Sequence, residues 1–302
     1  MTIQRVQPAG AAPAAPQRAR RLRSLSAAYL GPGWLLLLGI VLIPLALGLW
    51  MSFRNGSLLT PASDFIGLKN YSDLLTSSRF WDGVKVTALI SVLSLAIQLP
   101  LGFLLAVVIH RELRGTRLFR SSLLMPMLLT PVAVGLMWRV MLNVDNGVVD
   151  GILATFGLPD VDWLGDRTMA VVSVVLVDSW QNTPFVMLLL LAGLQSLPVG
   201  PLEAARVDGA STLQTYRHVI LPLLAPVGLV VVMIRVIESV KLFDIIYILT
   251  SGGPGTATQN VSLLDYRLGF TFLQTSQAAV LGVMITICLI PMYKLWKRAN
   301  AS

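Results

Sequence analysis

Three ionisable side chains of this 302-residue chain, Asp178, Arg235 and Glu238, sit inside long apolar runs. Asp178, Gln181, Asn182 and Phe185 stand at i, i+3, i+4 and i+7, so a helix presents all four on one face. Arg235, Glu238, Ser239 and Leu242 repeat the pattern on a second helix, extended by Lys241 and Asp244. Charge inside a bilayer costs about 2.5–3.5 kcal/mol per group on insertion scales, and it faces a cavity or a partner. Two kinds of chemistry fit. Arg235 either closes an internal ion pair with Glu238, three residues on, or with Asp178, or it meets an anionic solute directly. Asp178 and Glu238 could instead relay protons, which would make the chain an ion-coupled carrier.

The elements that carry these residues are membrane helices. Hydrophobic residues make up 55% of the chain and charged ones only 13%, with a mean hydropathy of +0.74. A soluble domain carries roughly 25% charged residues, so lipid must cover much of this surface. Six apolar runs are long enough to cross about 30 Å of hydrocarbon: Trp34–Phe53, Val86–Ile109, Ser121–Trp138, Met169–Leu191, Ile220–Ser239 and Phe272–Tyr293. They are continuous and Leu/Val-rich, which selects helices over the alternating strands of a barrel. The expected class is therefore an all-α polytopic membrane protein with six spans.

Basic residues orient it. Arg5, Arg18, Arg20, Arg21 and Arg23, the cluster Arg111, Arg114, Arg117 and Arg120, then Arg206 and Arg217, and finally Lys294, Lys297 and Arg298 fall on one side, against only Glu112, Glu203 and Asp208. The other side carries more acids than bases, so both termini are expected in the cytoplasm. The Ala/Pro/Arg-rich segment 1–30 reads as a disordered basic tail near anionic headgroups, with no nucleic-acid role, ahead of a transmembrane domain over 31–300. The first run is too long for a cleavable leader and is expected to stay as an anchor.

One cytoplasmic connection, 200–219 within Gly200–Pro222, is organised. Pro201 suits a first helical position, Glu203 would lie in the first turn where a carboxylate favours the dipole, and Gly209 can end the helix in a left-handed conformation. Ser211 and Gln214 then form a capping box that starts a second helix with Leu213, Tyr216 and Val219–Ile220 as its apolar stripe. A short helix, a sharp turn and another helix at the membrane surface make a docking element.

That segment carries a resemblance. Glu203-Ala204-Ala205, Asp208-Gly209-Ala210 and Val219-x-Leu221-Pro222 resemble the E-A-A stretch of permease subunits in bacterial ABC importers, with Val219 and Tyr216 in place of the usual Ile and Phe. Phe65–Tyr71, Arg114-Gly, Phe119-Arg120, Trp180-x-x-Thr-Pro-Phe185, Leu191–Pro198 and Phe243–Pro254 are similar to the sugar branch, of maltose and glycerol-phosphate type, over about Phe65 to Lys297. The resemblance implies the type I importer fold and a coupling helix docked on a separate ATPase dimer through Glu203, Ala204, Ala205, Asp208, Gly209, Ala210, Leu221 and Pro222. It further implies a second, non-identical permease and an extracytoplasmic binding protein docking on Asp145–Arg167 and Gly252–Asn260. The polar faces match positions that hold sugar in such permeases, giving a substrate pathway of Asp178, Gln181, Asn182, Phe185, Arg235, Glu238, Ser239 and Leu242, with Phe185 as the stacking ring. Arg235 and Glu238 replace uncharged residues there, so the sugar contacts do not carry over directly.

Other chemistry finds no support in the residues. Gly252-Gly-Pro-Gly255 lacks the lysine of a phosphate loop, so ATP and Mg are expected on the partner ATPase and no cofactor on this chain. His110 and His218 lack zinc spacing, the lone Cys288 cannot build a disulfide framework, and no catalytic set for an intramembrane enzyme is present. The sequons at Asn55, Asn70 and Asn260 arise by chance.

Overall fold

The computed structural model describes the backbone of residues 16–57, 59–60, 64–111 and 116–299, and the side chains of 32–57, 59–60, 64–111 and 120–288. Most of the basic residues that set the expected orientation have side chains outside that set. The chain divides into two compact units, 1–50 and 51–302.

The first unit is most of α1 (Pro16–Ser52), which is apolar on every side over Pro32–Ser52, as a span in lipid must be. Among the described residues, helix already runs from Pro16, ahead of residue 31. The Arg, Leu and Ala of this segment are good helix formers, so the basic arm is helical over 16–30 and not the disordered tail expected there.

In the second unit a two-residue antiparallel ribbon, β1 (Arg54–Asn55) with β2 (Asp64–Phe65), precedes α2 (Lys69–Thr76) and α3 (Ser78–His110). Asn70 secures this entry, donating to the carbonyls of Ser52 and Arg54 at 3.0 and 2.9 Å. There follow α4 (Thr116–Leu128), α5 (Pro131–Met141), α6 (Val148–Thr155), α7 (Arg167–Gln195), α8 (Val199–Val207), α9 (Thr212–Thr215), a π-helical turn at Tyr216–Ile220, and α10 (Leu221–Val240). Short α11 (Asp244–Leu249) and α12 (Val261–Tyr266), a second π-helical turn at Arg267–Thr271, and α13 (Thr275–Ala299) complete it.

Four of six expected spans are single helices long and apolar enough to cross a membrane: Pro32–Ser52, α3, α7 and the run Thr212–Val240. The last is α13, which starts at Thr275 after the π-helical turn, not at Phe272, and is apolar over its described side chains, Thr275–Cys288. The third departs from expectation. Instead of one helix over Ser121–Trp138, α4 and α5 meet at a bend of 99°. The apolar run hides a restart: Pro131 forces Thr130 into an extended conformation (φ −67°, ψ 141°), and the Thr130 hydroxyl then caps α5 by accepting from the Ala133 amide. Hydropathy counts side chains and cannot see that break.

Glycines set the bundle's closest approaches. A β-carbon on Gly102 of α3 would lie 2.7 Å from Val186 Cγ1 of α7, and one on Gly193 of α7 would lie 2.6 Å from Leu224 of α10. Ile90, Val174, Ile245 and Leu249 form the core at one end of α7, while Ala106, Met187, Leu191 and Leu224 form it at the other.

Candidate functional site

The polar residues of α7 and α10 converge on a buried network rather than an open site. Asp178 is 1% exposed and Arg235 4%, too deep for either charge to stand alone. Arg235 Nη2 donates to both carboxylate oxygens of Asp178, at 3.1 and 3.0 Å. Gln98 of α3 closes the triangle: its amide accepts from Arg235 Nε at 2.9 Å and donates to Asp178 Oδ2 at 2.9 Å. Asn182, one turn below Asp178, donates to Oδ1 at 2.9 Å. Thus three helices are pinned by one ion pair. Of the pairings open to Arg235, the structure takes Asp178, and Glu238 turns to Lys241 at 2.7 Å in an exposed pair.

Gln98 was absent from the candidate residues. Its signal is in the sequence: Thr87, Ser91, Ser94 and Gln98 recur at i, i+4, i+7 and i+11, one polar stripe of small hydroxyls and an amide that carries no charge to draw notice, and all four are buried. Gln181 serves the broken third span: its amide donates to the Leu129 carbonyl at 3.0 Å, satisfying a backbone acceptor freed by the bend.

Beside the network lies a cleft of about 160 Å³, lined on α7 by Asp178, Gln181 and Asn182, on α10 by Arg235 and Glu238, and just past the end of α10 by Lys241. Leu242, Phe243, Asp244, Ile245 and Pro131 complete the wall. Six of the eight expected pathway residues therefore line one cleft. The other two do not. Ser239 is 4% exposed and faces α3, accepting a hydrogen bond from Ser91 at 2.6 Å, and Phe185 lies farther along α7, off the cleft. The i+4 position of a stripe turned toward a neighbouring helix that periodicity alone does not locate. Phe243, not Phe185, is the aromatic ring at the cleft, stacked on Tyr247 at 5.2 Å.

At the far end of α7 the connection 200–219 has the expected form with a shifted start. Pro198 precedes α8 and Val199 is its first residue, so Pro201 is third and Glu203 lies beyond the first turn. The exit is as read: Gly209 has φ +71°, its amide donates to Arg206 O at 3.2 Å, and the Ala210 amide reaches Ala205 O at 3.0 Å, the paired bonds of a Schellman turn. Ser211 and Gln214 then form the capping box, with Ser211 N donating to Gln214 Oε1 at 2.8 Å and Gln214 N to Ser211 Oγ at 3.4 Å. Glu203, Ala204 and Asp208 are exposed while Ala205 is buried; Leu221 and Pro222 open α10. Val207 and Leu213, 88% and 77% exposed, leave two large apolar side chains on this turn uncovered. Tyr216 of the following π-helical turn packs edge-on against Phe103 of α3 at 6.2 Å, tying the turn to the bundle.

Residues 98–298 match the model of a protein family described as the binding-protein-dependent transport system inner membrane component. The chain belongs to that family. It is 41% identical over 273 residues to a probable ABC transporter permease of Sinorhizobium fredii, covering 89% of this chain and 87% of that one. It is 37% identical over 227 residues to the trehalose/maltose transport system permease protein MalF of Thermococcus litoralis, covering 75% and 77%. Its fold is shared with a chain in the crystal structure of a bacterial ABC transporter involved in the import of the acidic polysaccharide alginate, with a TM-score of 0.77 over 93% of this chain and 98% of that one, at 24% identity. The chain is accordingly an all-α, multi-pass membrane subunit of an ABC importer, a translocation component and not an enzyme. The ion-coupled carrier is set aside, and the geometry agrees: Asp178 is held by Arg235, Gln98 and Asn182, while Glu238 is engaged elsewhere.

Proposed function

We propose that this permease translocates a carbohydrate or polyol-like solute through the cleft between α7 and α10, driven by an ATPase dimer docked on the α8–α9 turn. The carrying observation is that turn: its backbone bonds are satisfied on both sides by the Schellman turn and the capping box, yet it offers Val207 and Leu213 to solvent. Such a rigid, apolar-tipped element needs a protein cleft to cover it. Glu203, Ala204, Ala205, Asp208, Gly209 and Ala210 form the coupling element, with Leu221 and Pro222 carrying its motion into α10. ATP and Mg belong to the ATPase, and this chain binds no cofactor.

A cleft of about 160 Å³ is small against the roughly 300–1,000 Å³ of sites that enclose an organic ligand. A second, non-identical permease would supply the opposite wall. With Asp178 and Arg235 neutralising one another and Lys241 offsetting Glu238, Asp244 leaves the cleft slightly negative, which favours a neutral solute over an acid. The trehalose/maltose relative supports the same solute class. An extracytoplasmic binding protein would deliver the solute to the loops 145–167 and 252–260, with both termini in the cytoplasm.

The test is ATP hydrolysis and uptake by the assembled importer in liposomes with loaded binding protein. Glu203→Lys and Gly209→Asp should assemble normally and lose stimulated hydrolysis and uptake together by about tenfold or more. Uptake that proceeds unchanged in these variants, or without ATP, refutes the coupling role.

A further inference from the structure

At the end of the bundle away from the α8–α9 turn, a groove of about 580 Å³ runs between α3 and α7. Its lining changes character with depth. Lys85 of α3 and Arg167 with Thr168 of α7 stand at the mouth, and Val86, Leu89, Leu93, Val171 and Val172 form the walls below. Each cation immediately precedes the apolar run of its own span, which puts both at the headgroup level of a bilayer. From Lys85 to Leu93 the groove follows α3 for about 12 Å, at 1.5 Å per residue, into the hydrocarbon. Leu89 and Leu93 are 47% and 38% exposed, so the groove is open to whatever surrounds the helices.

We propose that this groove holds a singly anionic phospholipid, its phosphate between Lys85 and Arg167 and an acyl chain along Val86, Leu89 and Leu93. Asp82 also reaches the mouth, where it meets Lys85 at 3.3 Å, with side chains 57% and 76% exposed. An exposed pair of that kind is weak and leaves Lys85 free to turn to phosphate. Arg167 has no ion-pair partner among the described residues, so the mouth carries one net positive charge, matched by one phosphodiester. Thr256 of the loop after α11 adds a hydroxyl at the upper end. The inference needs the chain to lie in a bilayer and nothing about its solute or its coupling.

The experiment is lipid retention by the purified importer complex, without ATP. The complex is equilibrated in nanodiscs of equal parts palmitoyl-oleoyl phosphatidylglycerol and phosphatidylcholine, extracted in mild detergent, and its bound lipids counted by native mass spectrometry. Phosphatidylglycerol should be retained selectively. Lys85→Gln with Arg167→Gln should lower that retention roughly tenfold or more, and Leu93→Trp should displace the lipid with both cations in place. Equal retention of the two lipids by the native complex overturns the proposal, as does undiminished phosphatidylglycerol in the charge-neutralised variant. Cross-linking of Leu93→Cys to the second permease also overturns it, because the groove is then a subunit interface. A loss of ATPase coupling in other variants leaves this readout untouched.

Discussion

Asp178 and Arg235 show how a charge is carried into a membrane helix: each cancels the other, and Gln98 and Asn182 occupy the remaining hydrogen-bonding positions. Removing one partner of a buried pair leaves the other uncompensated, at about 3–5 kcal/mol, whereas removing both is far milder. Arg235→Met or Asp178→Asn alone should therefore sharply lower the thermal midpoint and yield of the complex, and the double variant should recover more than half of either loss. A loss in the double variant equal to the sum of the two single losses would show that the pair is not coupled. A different carboxyl behaves in the opposite way. Asp265 of α12, outside the spans, has Oδ1 buried with no hydrogen-bond partner among the described residues, and burial raises its pKa from 3.8 to about 6. The folded form holds this proton more tightly than the unfolded form, so the stabilising effect is full below about pH 4 and is lost as pH rises past 6. Asp265→Asn, neutral throughout, should match the native thermal midpoint at about pH 4 and exceed it by a growing margin up to about pH 7.5. A margin independent of pH would contradict the assignment.

Helices were legible where periodicity and end signals agree. The α8–α9 turn could be read residue by residue because Gly209, Ser211 and Gln214 act through their own backbone, with only the start of α8 displaced by two residues. The third span was misread because Pro131 acts on Thr130, a local effect that an 18-residue apolar run conceals. Gln98 and Ser239 were harder still, since their partners lie 80 and 148 residues away in sequence. The contact of α3 with α7 belongs to this second kind and rests on a missing side chain. At Gly102 a β-carbon would stand 2.7 Å from Val186 Cγ1 and 3.1 Å from the Met187 amide nitrogen, so α3 and α7 must part to admit it. Gly102→Ala, favourable in an isolated helix, should here cost about 1–3 kcal/mol in the thermal unfolding of the complex. Adding Val186→Ala removes the nearer atom and should return part of the loss. Stabilisation by Gly102→Ala alone would mean that the two helices are not in register at this point.

Across the whole molecule, the apolar spans locate the membrane but leave its two sides equivalent; only the loops distinguish them. With six spans read from the sequence, fourteen basic residues are expected with three acids on the side of the connection 200–219, and eight with ten acids on the side of the loop 252–260. Cytoplasmic retention of Lys and Arg then predicts that the turn lies inside, where ATP is, and the loop outside. The two ends are built for different traffic. One offers apolar side chains, Val207 and Leu213, to a partner that must grip, whereas Thr256 and Gln259 of the other line a cavity of about 220 Å³ with the charged Arg79, Asp82 and Arg267 and the ring of Phe272. Labelling tests the assignment. With Cys288, the chain's single cysteine, replaced by Ser, a cysteine at Thr256 should react with a membrane-impermeant maleimide in intact spheroplasts. One at Gln214 should react only after permeabilisation, and assembly with the ATPase should then shield it. Reaction at Gln214 in intact spheroplasts would invert the topology and put the coupling element on the wrong side for ATP.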